Sequence, residues 1–285
     1  MKSIRGKQAL VTGGASGIGR GIALALAHEG ADVYLWDVNE AGMANVVDEL
    51  RALGVNAASK QVDLTQTAEI SAAVRILLEQ WGGIDILVNN AGVAFYGPTH
   101  TMTARQWDWL MGINLLAPIQ ITRELLPSLL ERPEGHILNV CSVSGLVAGG
   151  RFAAYHTSKF GLIGFSESLR AEYGRRGLTV TALCPGPVKT NLYRECATNQ
   201  DRRTAPEPPA WLCTTVEAVS RKAIKSIRYN YRMPLVGLLA HLLWNAKWLA
   251  PEVLDFLNHF RREKRVKPSG KDLGPKDNSI SQRAA

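Results

Sequence analysis

Short apolar runs alternate with longer, helix-length segments through the first two thirds of this chain. Parallel strands that are covered by helices on both faces have nearly continuous hydrophobic sequences, because neither face meets water. On this criterion we predict five strands, at residues 8–12, 31–36, 84–89, 136–142 and 179–184. Strands that alternate with helices in this order predict repeated βαβ units, and therefore an α/β fold with a parallel sheet.

The pattern changes in the last third of the chain. From about residue 191 to 213 polar residues and prolines dominate, which predicts a substrate lid, since strand and helix material resumes beyond it. Residues 235–250 predict an apolar helical stretch. Sixteen residues interrupted by His241, Asn245 and Lys247 are too short and too polar to span a bilayer.

Beyond Pro251 the apolar residues follow a helical period. Val253, Phe256, Leu257 and Phe260 lie at i, i+3, i+4 and i+7, so the predicted C-terminal helices extend over about 235–262 and end at the basic run RREKR. An amphipathic helix of this kind can make peripheral contact with an anionic membrane, cover the substrate cleft or contact another subunit, and the sequence leaves these alternatives open. Residues 268–285 are typical of a disordered basic tail.

Composition narrows the class of protein. The chain has 285 residues, of which 46% are hydrophobic and 20% charged, as expected for one α/β domain or two smaller ones. Its net charge is +8, and residues 261–285 contribute eight basic and three acidic side chains, or +5. No aromatic-interleaved basic patch accompanies this charge, so we predict no nucleic-acid partner.

Cysteine spacing and the N-terminal sequence bear on the compartment. The four cysteines lack CxxC or Cys/His spacing, so we predict reduced thiols, no metal site and no disulfide framework. Cys141 and Cys184 end apolar runs and are expected to be buried. The first strand begins almost at once without a preceding apolar signal segment, which predicts a cytoplasmic protein.

A glycine-rich turn, TGGASGIG at residues 12–19, joins the first strand to a helix that we expect to start near Ile18. Glycines let the backbone approach a pyrophosphate, and a helix N-terminus supplies free N–H groups and partial positive charge. The second strand leads into Asp37, whose carboxylate can accept hydrogen bonds from an adenosine ribose. Without Arg or Lys at Ser16 or Val38 to bind a 2′-phosphate, Asp37 favours NAD over NADP.

Tyr155 and Lys159 lie four residues apart in the run YHTSK, so on a helix they share one face. Lowering a tyrosine pKa from about 10 by two or three units requires roughly 3–4 kcal/mol, which a close ammonium and a positively charged cofactor can supply. Tyr155 is therefore a candidate acid or base near neutral pH. The alternative is a surface pair without chemistry. His156 points away from Tyr155 on the helix and is expected to pack or to face solvent.

Eight sequence features occur together in one order: TGGASGIG, Asp37, Asp63-Leu64, Asn89-Asn90-Ala91-Gly92, Asn114, Ser142, Tyr155-x-x-x-Lys159 and Pro185-Gly186. In their order and spacing they resemble the short-chain dehydrogenase/reductase family, over about residues 5–195. The resemblance implies a single NAD(P)-binding domain over residues 1–267, with a Rossmann-type doubly wound parallel sheet of about seven strands and a C-terminal helical extension. It implies hydride transfer between C4 of a nicotinamide and a carbinol or carbonyl carbon, with no metal required.

The resemblance also assigns four catalytic residues. Tyr155 would be the general acid/base and Ser142 would bind the substrate oxygen. Lys159 would bind the nicotinamide ribose and lower the tyrosine pKa, and Asn114 would hold a water that relays protons. For Asn114 the alternative is a helix residue that satisfies a neighbouring carbonyl.

The cofactor-binding residues that the resemblance implies extend along most of the chain. They are Gly13, Ser16, Gly17, Ile18, Gly19, Asp37, Asp63, Leu64, Asn90, Ala91, Gly92, Pro185, Gly186, Val188 and Thr190, together with Tyr155 and Lys159. Asp63 and Leu64 would flank the adenine, and Pro185-Gly186 would turn the chain beneath the nicotinamide. Asn90 has a structural role at the sheet centre as its alternative.

Substrate class is predicted from the residues that flank the expected reaction centre, which are mostly apolar or aromatic: Val93, Phe95, Val143, Leu146, Phe152, Leu192, Tyr193 and Trp211. They predict a small hydrophobic secondary alcohol or ketone and an NAD-dependent oxidoreductase. Two alternatives are an NADP-dependent reductase of a lipid-like carbonyl (retinoid, steroid or long-chain acyl) at a membrane surface, and a non-catalytic dinucleotide-binding regulatory protein. We expect a homodimer or other homo-oligomer. A tetramer is in doubt, because the family's C-terminal strand and glycine-rich aspartate motif give way to an apolar helical stretch.

Overall fold

The computed structural model describes residues 1–190, 192, 196–198, 205 and 207–252. The predicted amphipathic stripe from Val253 to Phe260, the basic run and the tail at 268–285 lie outside the described residues. Tyr193 and much of the predicted lid also lie outside them.

Seven parallel strands in the described part of the chain form one sheet. They are β1 (Gln8–Thr12), β2 (Asp32–Asp37), β3 (Ala57–Gln61), β4 (Ile86–Asn89), β5 (Gly135–Val140), β6 (Leu178–Pro185) and β7 (Leu235–Val236). Their order in the sheet is β3-β2-β1-β4-β5-β6-β7, so the winding reverses between β1 and β4. The carboxyl ends of parallel strands at such a reversal leave a crevice in which ligands bind. The predicted Rossmann-type doubly wound sheet is confirmed.

Eight α-helices in the described residues cover the sheet. They are α1 (Gly17–His28), α2 (Glu40–Ala52), α3 (Thr67–Trp81), α4 (Ala104–Met111), α5 (Ala117–Glu131), α6 (Ala153–Tyr173), α7 (Val216–Tyr229) and α8 (Leu238–Leu249). Apolar residues of α1, α2 and α7 pack on one face of the sheet, and those of α3, α5 and α6 pack on the other. Because both faces are covered, the central strands are apolar at nearly every position, which is why their sequences were informative.

The five strands predicted from apolar runs are confirmed, and the two that this criterion missed form the edges of the sheet. In β3, whose sequence is AASKQ, Ala57 is the one fully buried residue and the next four are half-buried or exposed, so it lacks the continuous apolar run of a central strand. The other edge, β7, contains only two residues, which pair with Cys184 and Pro185 of β6. Too few residues are involved for a period to be visible.

The prediction that residues 235–250 are helical was wrong for the first residues of this range. Its first two residues form β7, and Gly237 then turns the chain at φ +93° before α8 begins. The inner face of α8 packs near the carboxyl end of β5, where Lys247 Nζ donates to the Leu146 carbonyl at 2.5 Å. Among the helices that the structure describes, none has the length and apolar character needed to cross a bilayer.

Cys141 and Cys184 lie at the carboxyl ends of the neighbouring strands β5 and β6. Both are buried, as predicted, and they share an apolar cluster with Leu162 and Ile163 of α6. All four thiols are free. A hydrogen bond with Cys141, together with burial, raises the pKa of the Cys184 thiol well above its usual value.

His136 in β5 gives the fold a specific sensitivity to acid. Its ring is fully buried, Nδ1 lies 2.6 Å from Thr179 Oγ1, and Nε2 has no hydrogen-bond partner among the described residues. Burial, together with the positive charges of the N-terminus and Arg170, lowers the pKa of His136 to about 3. The unfolded chain therefore binds this proton more tightly than the folded chain does.

The stability that His136 contributes is complete above its unfolded pKa of about 6.5 and is lost as the pH falls from there toward 3. When the pH falls from 7.5 to 4.5, we expect protonation of His136 in the unfolded chain to lower the unfolding free energy by about 2.5 kcal/mol, since each pKa unit corresponds to about 1.4 kcal/mol. Urea unfolding at several pH values should show that the unfolding free energy of His136→Gln falls less steeply toward acid pH than that of the wild type. The same change at the exposed His100 should leave this fall unaltered, and identical slopes for all three proteins would contradict the prediction.

Candidate active site

A single cleft at the carboxyl ends of the strands gathers most of the predicted site residues. It has a volume of about 330 Å³ and lies over the reversal between β1 and β4. Its lining includes the predicted residues Gly13, Ser16, Gly17, Ile18, Asp37, Asp63, Leu64, Asn90, Ala91, Gly92, Ser142, Tyr155, Lys159, Pro185, Gly186, Val188 and Thr190. Two predicted residues, Gly19 and Asn114, are not in the lining, but each contacts a residue that is.

The glycine-rich turn provides a wall with exposed backbone. Gly13 and Gly17 have φ values of +64° and +53°, a conformation that favours glycine because it lacks a Cβ atom. Helix α1 begins at Gly17, and its N-cap Ser16 makes no side-chain cap bond. The first turn of α1 also has no acidic residue, so its backbone N–H groups and partial positive charge are available to an anion in the cleft.

Gly19 and Asn90 hold this turn in place. A Cβ atom on Gly19 would lie only 1.9 Å from the Gly13 carbonyl oxygen, so α1 packs directly against the turn. Asn90 Nδ2 donates to the carbonyl oxygens of Thr12 and Gly13 at 2.9 and 3.1 Å. Gly19 therefore allows α1 to pack against the turn. The bonds of the Asn90 side chain to Thr12 and Gly13 agree with the alternative given for it, a structural role at the centre of the sheet.

Asp37 ends β2 with its carboxylate fixed by backbone groups. Oδ2 accepts from the Ala15 N–H and Oδ1 from the Asn39 N–H, both at 3.0 Å. These bonds hold the negative charge at one end of the cleft, beside Val38 and Asp63. Lys159, at the opposite end, is the only Lys or Arg among the described residues of the lining.

Lys159 is buried at the end of the cleft that Tyr155 lines. Its Nζ donates to the Val140 carbonyl at 2.9 Å and lies 5.8 Å from the centroid of the Tyr155 ring. Both side chains project from α6, so the predicted shared helix face is confirmed. Burial lowers the pKa of Lys159, against the opposing effect of the Cys141 and Cys184 thiols.

Ser142 follows β5 directly and lines the same end of the cleft as Tyr155. Its Oγ accepts a hydrogen bond from the Ser144 N–H at 3.0 Å. Because that bond uses an oxygen lone pair, the hydroxyl proton remains available for an acceptor in the cleft.

Asn114 sits in a π-helical turn, Gly112–Leu116, that joins α4 to α5. Its side chain accepts from the Val93 N–H at 2.8 Å and donates to the Val93 carbonyl at 2.9 Å. A further bond, of 3.2 Å, leads to Ser158 of α6. Asn114 therefore fastens the cleft segment after β4 to α6, and π turns of this kind are frequent at functional sites.

Comparison with known proteins decides the family. The sequence profile described as short chain dehydrogenase matches residues 7–201, well over half of the chain. The chain belongs to the short-chain dehydrogenase/reductase family. As a member, it is an oxidoreductase that acts on CH–OH or keto groups with a nicotinamide dinucleotide.

Individual relatives agree with this assignment. The D-beta-hydroxybutyrate dehydrogenase of Cupriavidus necator is 37% identical over 192 residues, which cover 67% of this chain and 74% of that protein. Among solved structures, a short chain dehydrogenase/reductase from Burkholderia phymatum in complex with NAD has a TM-score of 0.78 and 25% identity, and the match covers 93% of this chain and 100% of that one. A short-chain dehydrogenase from Sphingobium yanoikuyae in complex with NADPH has a TM-score of 0.74 and 25% identity, with 92% and 99% of the two chains covered.

The cleft of this dehydrogenase/reductase fits a dinucleotide at both ends. The uncapped start of α1 suits a pyrophosphate, and the turn leaves room for it because the nearest atom to a Cβ on Gly17 would be 3.5 Å away, on Thr190. Lys159 and Asp37 are placed where ribose hydroxyls at the two ends could be bound. The chemistry that the cofactor supplies when bound is the acceptance or donation of a hydride.

Apolar side chains line the cleft beside Tyr155, where the substrate is expected. Of the residues predicted there, Val93, Val143, Phe152 and Leu192 line the cleft. Phe95 and Leu146 are instead buried in neighbouring apolar clusters, and Trp211 is 82% exposed outside the lining. Sequence reasoning missed Ala94, Trp109 and Ile113, which also line the cleft. Ile113 is next to Asn114, so that motif was the signal that could have located it.

Proposed function

We propose that this protein is an NAD-dependent dehydrogenase/reductase of hydrophobic secondary alcohols and ketones. One observation carries the proposal: Ser142, Tyr155 and Lys159 share a cleft with the fixed carboxylate of Asp37, and the walls beside Tyr155 are apolar. Burying apolar substrate surface favours binding by about 25 cal/mol per Å², so such walls discriminate against strongly hydrated substrates.

Tyr155 exchanges a proton with the substrate oxygen, as a base during alcohol oxidation and as an acid during ketone reduction. Lys159 stabilises the phenolate form electrostatically, because its ammonium group is buried close to the Tyr155 ring, where little water screens the charge. Ser142 donates its hydroxyl proton to the same substrate oxygen and holds it in place. Asn114 supports the wall at Val93 and holds the water that relays protons from Lys159.

The test is a screen of alcohols and ketones with NAD and NADP in parallel, followed by the absorbance of the reduced cofactor. We expect turnover to rise with apolar surface on the substrate, and kcat/KM to be higher with NAD. A preference for polyols, or equal efficiency with NADP, would contradict the proposal.

Cofactor preference follows from the charge at one end of the cleft. Asp37 repels a 2′-phosphate, and no described Lys or Arg of the lining lies at that end to attract one. Asp37→Ala with Val38→Arg should shift the NADP-to-NAD ratio of kcat/KM by roughly tenfold or more, since one charge-assisted bond contributes about 1.5–3 kcal/mol. Asp32→Ala removes a carboxylate that also binds a backbone N–H, that of Asn56, and is the control that should leave the ratio unchanged.

We further propose that the described residues of the predicted lid, 192, 196–198, 205 and 207–213, cover the substrate end. In the described part of this segment, Ala197 donates to the Ala94 carbonyl at 3.1 Å and accepts from the Tyr96 N–H at 2.9 Å. Cys196 and Ala205 pack in a cluster that includes Phe152 and Tyr155. These contacts support a lid that excludes water from the reacting groups.

The outer face of α8 favours one alternative, a reductase of lipid-like carbonyls at a membrane surface. Leu238, Leu242, Trp248 and Leu249 are 77%, 55%, 69% and 84% exposed. Large exposed apolar residues followed by a basic segment suit an anionic bilayer. Flotation with phosphatidylserine-containing liposomes should be weakened by Leu249→Glu, and Leu53→Glu on the exposed end of α2 should not weaken it. Equal flotation of both variants, or none by the wild type, would remove this alternative.

A further inference from the structure

His156 forms two hydrogen bonds with the loop that carries Ser142. The chain after β5 runs through residues 142–149 before α6 begins, and His156 of α6 contacts this loop twice. Its Nδ1 lies 2.8 Å from the Ser144 carbonyl oxygen, and its Nε2 lies 3.0 Å from the Gly149 backbone nitrogen. The sequence predicts a packing or solvent-facing role for His156 and gives no sign of these two bonds.

The two contacts determine the protonation of the ring. Gly149 can only donate, so Nε2 accepts and carries no proton. The proton of the neutral ring is therefore on Nδ1, which donates to the Ser144 carbonyl. Burial lowers the pKa of His156, against the opposing effect of its bond to Ser144, which agrees with a neutral ring that uses both nitrogens.

Ser144 connects the histidine to the active site. Its carbonyl is held by His156, while its own N–H donates to Ser142 Oγ at 3.0 Å. The direction in which the Ser142 hydroxyl points therefore depends on the orientation of residue 144. The N–H and the carbonyl of Ser144 belong to adjacent peptide groups that share one Cα atom, so the imidazole restrains the hydroxyl through a single intervening residue.

We propose that His156 is a positioning residue that aligns Ser142 with the substrate oxygen by clamping the loop at Ser144 and Gly149. The inference rests on the proposed role of Ser142 in binding that oxygen. Misplacement of a reacting group by a fraction of an ångström lowers the rate of the chemical step and leaves cofactor binding intact.

The first experiment compares His156→Leu with His156→Gln. A glutamine amide offers one donor and one acceptor and can replace both bonds, whereas leucine replaces neither. We expect kcat to fall by roughly 10- to 100-fold in His156→Leu and to recover to within about threefold of the wild type in His156→Gln. The Kd for NAD should change little in either variant. The matched control is His241→Leu in α8, which removes one ring contact, to the carbonyl of the N-cap residue Gly237. It should keep full kcat.

The second experiment is a double-mutant cycle with Ser142→Ala. If His156 acts through Ser142, His156→Leu should lower kcat of Ser142→Ala by less than about twofold, because the group that it positions is already absent. Full additivity of the two losses would overturn the proposal, as would a wild-type kcat in His156→Leu or a glutamine variant as slow as the leucine variant. Should the leucine variant not fold, His156→Asn, which is too short to reach both partners, takes its place and is expected to be slower than His156→Gln. Unchanged activity in Ser142→Ala alone would instead contradict the proposed function, so the two failures are distinguishable.

Discussion

Tyr155→Phe is expected to lower kcat by roughly 10³-fold, within the range of about 10² to 10⁴ that general acid/base groups contribute. The substitution removes one oxygen atom and leaves the aromatic packing against Phe152 in place. Without the hydroxyl, the side chain at position 155 cannot exchange a proton with the substrate oxygen. Stopped-flow or steady-state absorbance of the reduced cofactor measures the loss.

The same variant should bind NAD with a Kd within about threefold of the wild type, because the cleft residues near Asp37 and the glycine-rich turn are untouched. Tyr96→Phe is the matched control, since Tyr96 contacts the same Phe152 ring at 5.1 Å but does not line the cleft. Turnover by Tyr155→Phe within tenfold of the wild type would eliminate Tyr155 as the proton-transfer group.

Gly19→Ala is expected to destabilise the fold by about 3 kcal/mol and to abolish dinucleotide binding. The added methyl group would meet the Gly13 carbonyl oxygen and Asn90 Nδ2 at 1.9 and 2.5 Å. The closer of these two atoms belongs to the backbone, so α1 must move away from the turn or the turn must change conformation. Urea unfolding and fluorescence titration with NAD measure the two effects.

Gly164→Ala in α6 separates this clash from the general effect of adding a methyl group to a helix. A Cβ atom at Gly164 meets nothing within 4 Å, and alanine is favoured over glycine in a helix by about 1 kcal/mol. We therefore expect Gly164→Ala to be neutral or stabilising and to bind NAD normally. Similar behaviour of the two alanine variants would show that α1 and the turn are not in the close contact described.

The sequence predicts most of this fold because the central strands are buried on both faces. Burial forces apolar residues onto β1, β2, β4, β5 and β6, and the glycine-rich turn and Asp37 then have defined places at strand ends. The edge strands β3 and β7 are not buried on both faces, so their sequences lack this pattern. Lys60 and Gln61 of β3 are tolerated because one side of that strand meets solvent, and β7 is specified by its pairing with β6 rather than by its own two residues.

The candidate site was predictable where a residue faces the cleft and less so where it acts from behind. Gly19 belongs to the predicted phosphate turn, yet what requires glycine there is a backbone contact between two segments, which no linear pattern displays. Asn114 was found through its motif, but its partner Val93 could be identified only once the π turn brought the two together. The same holds for His156, whose two partners lie 12 and 7 residues away along the chain.

The bond from Lys247 to the Leu146 carbonyl has a practical consequence for handling the enzyme. Leu146 lies in the loop between Ser142 and Gly149, so one hydrogen bond connects the last described helix to the loop that carries the proposed catalytic serine. We therefore expect an affinity tag, a fused reporter or a shortened C-terminus that displaces α8 to alter turnover. Variants of this enzyme are therefore best compared on chains that share one C-terminal end.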